Sequence, residues 1–259
     1  MLVTERRRRV LEEVRRKGAV TVTDLSERLG VSGMTIRRDL EALAGDGMLE
    51  KVHGGATVRH APSAEELDFD ETSQQRRAEK EAIAERAAQL VQPGMSVGVS
   101  AGSTTWTFAR HLRGISDLTI VTNSLRIAEE FRRTDPDRTV VITGGVRTPS
   151  EALVGPVAVR ALQVLHCDVL FLGVHGVDLR AGLTTPNLME AETNRALVAS
   201  AQQLVVLADH SKFGRVGLST IVELNAVDTL VTDSGVDPEA LEVVGEQVGE
   251  LITVAAPGQ

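Results

Sequence analysis

The sequence predicts an α/β protein in two unequal parts, a short basic head followed by a longer body built on an open, mostly parallel sheet. Charge changes sign along the chain. Residues 1–60 carry 12 Lys and Arg against 9 Asp and Glu, net +3, whereas the other 199 residues carry 16 against 27, net -11. In the body, short β-rich runs alternate with helical patterns, the rhythm of an α/β sheet. Those runs are apolar throughout rather than at every second residue, so both faces of the sheet are expected to be covered.

Composition excludes several classes. A single Cys cannot form an internal disulfide, and Cys167, in an apolar strand, reads as a small buried hydrophobe rather than a redox sensor. No apolar run approaches the roughly 20 residues that span a bilayer, and Met1 to Arg9 is too charged for a signal-peptide core. A cytoplasmic protein with no membrane partner is expected. The His residues at 53, 60, 111, 166, 175 and 210 show no metal-ligand spacing, and no metal or cofactor is expected.

In the head, Thr4 is placed to cap a first helix with Val10, Leu11 and Val14 as its apolar stripe and Gly18 at its end. Ala19 to Val22 is short and β-branched and reads as a strand. Thr23 is then placed to cap a short helix, Asp24 to Leu29, closed by Gly30. Ser32 caps a third helix running to about Ala44. Its Ile36, Leu40 and Leu43 fall at i, i+4 and i+7 and face inward, which leaves Gly33, Met34, Thr35, Arg37 and Arg38 facing out. Two helices joined by a Gly-containing turn, the second opening with small polar and basic residues, form a helix-turn-helix, whose second helix enters the major groove. Arg37 and Arg38 suit guanine edges or phosphates, and Thr35 a base or the backbone. Met48 to Val58 reads as two strands around Gly54-Gly55, a wing that brings Lys51 and His53 toward the duplex backbone; His53 equally suits a locally satisfied turn.

These residues carry a family resemblance. Leu25-Ser26-Glu27-Arg28-Leu29-Gly30-Val31-Ser32, Thr35-Ile36-Arg37-Arg38-Asp39-Leu40, Leu43, Gly47 and His53-Gly54-Gly55-Ala56 resemble the N-terminal domain of DeoR-type bacterial transcription regulators. The resemblance implies a DNA-binding motif over about Ala19 to Arg38. Asp39, acidic beside these bases, is expected to orient a neighbouring Arg rather than to meet phosphate. With no Tyr and 2% aromatic residues, single-strand or RNA binding by stacking is disfavoured, and a double-stranded operator is the expected partner.

The domains are placed at 1–60, a linker at 61–72, and the body at 73–259. A helix opens at Thr72 or Ser73, carries Ile83, Ala87, Leu90 and Val91, and stops at Pro93-Gly94. Strands are expected at 96–99, 118–122, 139–143, 169–174, 203–208 and 229–232. Ligands of such sheets sit outside the carboxyl ends of the strands. Polar residues and glycines gather there: Gly102, Ser103, Thr104 and Thr105; Asn123; Gly144 and Gly145; Gly173, His175 and Gly176; Asp209 and Lys212. A Gly-Ser-Thr-Thr turn into a helix offers free N–H groups and a positive dipole end to a phosphate, although the same hydroxyls are ordinary helix caps. His175 and His210 either meet phosphate or close a turn. A small phosphorylated polyol fits this set.

The Gly-Ser-Thr-Thr turn, Val121-Thr122-Asn123, Gly144-Gly145, Gly182-Leu183-Thr184 and Asp209 to Gly214 are similar to the sensor domain of DeoR-type regulators. That resemblance implies a fold like ribose-5-phosphate isomerase, a sugar-phosphate effector held by Ser103, Thr104, Thr105 and Lys212, and Asn123, Gly144 and Asp209 nearby. Ser100 and Asn194 stand where many members carry Asp and Lys. The function expected is a regulator, a repressor of sugar or polyol genes, acting as a homodimer or higher oligomer because paired half-sites need paired heads. The competing expectation is a phosphosugar isomerase or transferase with an accessory head, disfavoured by Ser100, Asn194 and the lack of an acid-base pair.

Overall fold

The computed structural model describes residues 2–17, 19–45, 48–52, 54–57 and 68–255. The chain divides into two compact units, Met1–Pro62 and Ser63–Gln259.

The first unit runs α1 (Val3–Lys17), β1 (Ala19–Thr21), α2 (Val22–Leu29), α3 (Gly33–Gly45), β2 (Glu50–Val52) and β3 (Gly55–Thr57). Its strands pair antiparallel in the order β1-β3-β2, a winged helix-turn-helix. Val10, Val14, Leu25, Ile36, Leu40, Leu43 and Leu49 form one buried cluster. Two expected caps differ. Thr4 lies inside α1, and α2 is capped by Thr21 rather than Thr23: the Thr21 hydroxyl accepts from the Asp24 N–H at 3.1 Å. A cap needs extended backbone, and Thr21, the last strand residue, has it (φ -96°, ψ 155°). Gly30 ends α2 at φ +65°, and the Ser32 hydroxyl accepts from the Thr35 N–H at 3.2 Å. Gly55 is required by contact, because a Cβ there would lie 2.0 Å from the Val20 carbonyl oxygen. Gly18, Gly47 and His53 lie outside the described residues.

The second unit opens with α4 (Phe69–Gln74) and α5 (Arg77–Ala88). The expected linker therefore ends earlier than residue 72: the Asp68 carboxylate caps α4 by accepting from the Asp70 N–H, and Phe69 is buried. The single helix expected from Thr72 onward is broken at Gln75-Arg76, where Arg76 takes a left-handed conformation, φ +52°. There follow β4 (Ser96–Val99), α6 (Ser103–His111), β5 (Thr119–Thr122), α7 (Leu125–Thr134), β6 (Thr139–Ile142), β7 (Val146–Arg147), β8 (Leu153–Val154) and α8 (Pro156–Leu162). The chain continues through β9 (Cys167–Gly173), β10 (Gly176–Asp178), β11 (Gly182–Thr185), α9 (Leu188–Ala199), β12 (Ala201–Leu207), β13 (Ser219–Val222), β14 (Thr229–Asp233), α10 (Pro238–Gly245) and β15 (Glu250–Val254).

Seven strands form the main sheet in the order β15-β14-β12-β9-β4-β5-β6, every neighbouring pair parallel. Alternate residues of each inner strand feed opposite cores. Val169, Phe171, Val205 and Leu207 join Ile83, Phe108 and Phe131 on one face, while Leu170, Leu172, Leu204 and Val206 join Leu162, Leu197 and Val244 on the other. This is why the strands read as continuously apolar. The chain builds outward from β4 through β5 to β6, then crosses to β9 on the other side of β4. Sheets of this kind hold their ligands in the crevice outside the strand tips at such a switch point. Strand β15, the β7/β8 hairpin and a small antiparallel sheet, β10-β11-β13, were not anticipated.

Candidate functional site

The head presents one polar face. On α3, Ile36, Asp39 and Leu40 are buried, whereas Met34, Arg37 and Arg38 are exposed; Ser32, the cap, is exposed too. The Ser32 and Thr35 hydroxyls lie 2.9 Å apart, and Gly33 completes the first turn. Lys51, expected at the DNA face, and Asp39, expected to orient a neighbouring Arg, are both engaged within the head. Lys51 Nζ on the wing donates to Glu41 Oε1 of α3 at 2.7 Å. Asp39 turns inward, where Arg6 Nε donates to Oδ2 at 2.5 Å and Arg7 Nε to Oδ1 at 3.2 Å. The guanidiniums it orients come from α1 rather than from Arg37 or Arg38.

In the body the crevice between β4 and β9 is built as follows. Ser100 closes its floor: the Ser100 hydroxyl accepts from the Gly173 N–H at 3.0 Å, tying the two strand tips together. Gly102 caps α6 at φ +152°, a conformation closed to most side chains, and brings none to the helix end. Thr105 donates from its hydroxyl to the Gly102 carbonyl at 3.0 Å, Ser103 is half-buried, and Thr104 and Thr105 are buried. The position of a Cβ on Gly173 would lie 3.4 Å from the Thr105 methyl, so the tip of β9 abuts the start of α6.

Beyond β9 and β12 the charges concentrate. Burial pushes the Lys212 ammonium down, with Arg215 adding and Asp209 opposing. Burial, with Lys212 and Arg215 adding to it, pushes His175 down to about 4, so His175 is neutral at pH 7 and serves as a donor or acceptor, not a cation. Burial alone would raise Asp209, but Lys212, its hydrogen bond from Ser211 and Lys80 outweigh it and hold the carboxyl below the ordinary range. His210 Nδ1 lies 2.7 Å from Asp233 Oδ2; burial opposes its charge, and Asp233 overcomes that and raises it. On α5, burial lowers Lys80 to about 8, against Asp209, which raises it. The Asp209 carboxylate thus has Lys212, Lys80 and His210 acting on it, a surplus of positive charge that favours a further anion.

Not all expected residues do what their types suggested. The Asn123 amide is committed to the fold: Oδ1 accepts from the Ala101 N–H at 2.9 Å and Nδ2 donates to the Leu153 carbonyl at 3.2 Å. Gly145 lies against β8, where a Cβ would come within 2.5 Å of the Val154 carbonyl oxygen, and Gly144 lies beside Val157 of α8. These glycines seat the hairpin. Gly176 abuts Arg215, whose carbonyl would lie 2.1 Å from an added Cβ, so it brings that arginine's loop to β10. The residues missed are Lys80, Arg76, Arg215 and Asp233. One signal was available: Lys80 occupies the buried face of α5 with Ile83, Ala84 and Ala87, where a cation has no place in a core. Among the described residues no group of three His, Cys, Asp or Glu could hold a metal, and no helix is long and apolar enough to cross a membrane. Cys167 is buried, and burial raises its thiol to about 11.

A winged helix-turn-helix in one chain with an α/β unit of this build defines a class, the DNA-binding transcriptional regulators. Residues 6–61 match the DeoR-like helix-turn-helix domain, and residues 75–234 the DeoR C terminal sensor domain. The HTH-type transcriptional regulator GlpR of Haloferax volcanii is 38% identical over 94% of this chain and 95% of its own length. GolR of Listeria innocua is 36% identical over 92% and 93%, and the glycerol-3-phosphate regulon repressor of Escherichia coli 28% identical over 94% and 96%. The chain belongs to the DeoR family of transcriptional regulators. These relatives are regulators, and the isomerase expectation gives way to theirs. Ribose 5-phosphate isomerase of Methanocaldococcus jannaschii superposes on 52% of the chain, and on 53% of its own, at a TM-score of 0.39 and 20% identity, too distantly to bring chemistry with it.

Proposed function

We propose that this chain is a cytoplasmic repressor that holds operator DNA through Ser32, Gly33, Met34, Thr35, Arg37, Arg38 and the wing, and that its body binds a phosphorylated sugar or polyol. One observation carries the effector half: an α6 N-terminus with no side-chain cap abuts the tip of β9, and Lys212, half-buried, follows the end of β12. A phosphate accepts from the free N–H groups of α6 and offsets the charge that burial penalises at Lys212. Gly102, Ser103, Thr104 and Thr105 supply the phosphate seat. His175, Asp209 and the β9 loop around Gly173 and Gly176 face the sugar hydroxyls. The name of the Escherichia coli relative agrees with an effector of this size.

DNA affinity changes only if the effector distinguishes two conformations, and couplings of this kind are worth about 1–3 kcal/mol, or about 5- to 150-fold. Trp106, the only Trp, lies directly after the phosphate seat. Its emission, titrated with triose, pentose and hexose phosphates, is expected to change with one of them at the same midpoint as binding to DNA upstream of the protein's own gene. A broad panel that moves neither signal sinks the effector assignment.

A further inference from the structure

We propose that α4 is the element through which the body registers an anion in the β4/β9 crevice, and that Lys80 is the positioning residue coupling the two. The inference rests on the reading of that crevice as an anion site, and adds how occupancy leaves it.

Helix α4 is six residues long, too short to hold itself together, so its place is decided by what grips it. At its first residue the Phe69 ring meets Trp106 of α6 edge-on, centroids 5.9 Å apart at 87°. The Arg126 guanidinium lies 5.0 Å from the same ring and donates from Nη2 to Asp70 Oδ1 at 2.9 Å. Trp106 in turn belongs to the first turn of α6, its N–H donating to the Gly102 carbonyl at 2.9 Å. One grip on α4 is therefore built on the phosphate seat.

The other grip is Lys80. Its Nζ donates to the carbonyls of Thr72, at 2.5 Å, and Gln75, at 2.8 Å, at the end of α4, where a helix leaves its last carbonyls unsatisfied. Lys80 is buried, and it shares its electrostatic surroundings with Asp209, Lys212, Glu79 and Arg76. Two neutral carbonyls are weak partners for a buried ammonium compared with an anion. An anion that settles against Lys212 draws the Lys80 charge toward itself and away from α4. The expected result is a loosened α4, and α4 is the first described element after the helix-turn-helix unit.

Amide hydrogen exchange of the full chain tests this, with sodium phosphate compared with sodium chloride at matched ionic strength. Phosphate is expected to slow exchange at 103–107 and to speed exchange at 69–75 by at least about threefold. In Lys80→Met phosphate is expected to bind more weakly, because a cation that the anion attracts is gone, so the variant is read at saturating phosphate: there protection at 103–107 returns, whereas exchange at 69–75 no longer responds to phosphate. Protection at 103–107 with no change at 69–75, or coupling that survives in Lys80→Met, overturns the α4 proposal and leaves the anion site standing. No protection at 103–107 up to about 50 mM phosphate overturns both. The wild-type comparison needs no variant, so a Lys80→Met chain that failed to fold would not rescue the proposal.

Discussion

Asp39 is an acid in the middle of a basic helix, and its burial explains why it does not spoil the surface around it. Two α1 guanidiniums hold the carboxylate inside while Arg37 and Arg38, its immediate neighbours, stay in solvent. Asp39→Asn leaves Arg6 and Arg7 without their shared anion and loosens α1 from α3. Both Tm and operator affinity are expected to fall, the latter by roughly tenfold or more. Arg37→Ala and Arg38→Ala should scarcely move Tm. An arginine that meets phosphate lowers the slope of log K against log salt by about 1 when it is replaced, whereas one that meets guanine relaxes selectivity at one base pair by about 1–3 kcal/mol. Anisotropy titrations at several salt concentrations separate the cases. In the body, the His210-Asp233 pair predicts a pH dependence with a definite sign. His210 is raised in the folded state, so its contribution is complete below about 6.5 and is lost as pH rises through the raised value. Asp233 is lowered, so its contribution is lost only as pH falls through the lowered value. His210→Gln should flatten the decline in Tm on the alkaline side, and an unchanged decline would assign it to another group.

At the scale of elements, α6 separates stability from binding. Ser103 opens the helix, and Ser103→Asp places a carboxylate at the positive end of its dipole, an arrangement worth about 0.3–1 kcal/mol in the helix's favour. The same carboxylate occupies the phosphate seat. The variant is expected to keep or raise Tm while phosphate no longer perturbs Trp106; a variant that binds phosphate normally would move the seat elsewhere. Elements with a local signature were legible in the sequence: α3 through its Ile36, Leu40 and Leu43 stripe and its Ser32 cap, and β9 and β12 through their apolar runs. Other features depend on partners far along the chain. Asn123 reads as a ligand-loop residue, yet Ala101 and Leu153 consume its amide. Strands β10, β11 and β13 are three or four residues each and owe their extension to one another. The break between α4 and α5 follows no glycine or proline; Arg76 holds a left-handed backbone, a local cost that tertiary contacts must offset.

For the whole molecule, the net charge of -8 is the sum of a +3 head and a -11 body, and the sign that faces DNA is the head's. An acidic body repels phosphates and so discourages contact except through the head. A single head carries few cations on its DNA face, Arg37 and Arg38 chief among them, and a handful of phosphate contacts supports only non-specific affinities of about 10⁻⁴–10⁻⁶ M at physiological salt. Operator binding in the range of about 10⁻⁸–10⁻¹¹ M then requires more than one head on one piece of DNA. Two heads related by a twofold axis read half-sites about 10–10.5 base pairs apart, centre to centre, or a multiple of that. The expected result is an even number of chains per operator in sedimentation, with footprints at that spacing on one face of the duplex. Shortening the spacer by about 5 base pairs turns one half-site to the opposite face and should abolish tight binding while leaving each half-site's weak binding intact. Tight binding that ignores the spacer, or a one-to-one complex at nanomolar affinity, would show that a single head suffices and would remove the need for an oligomer.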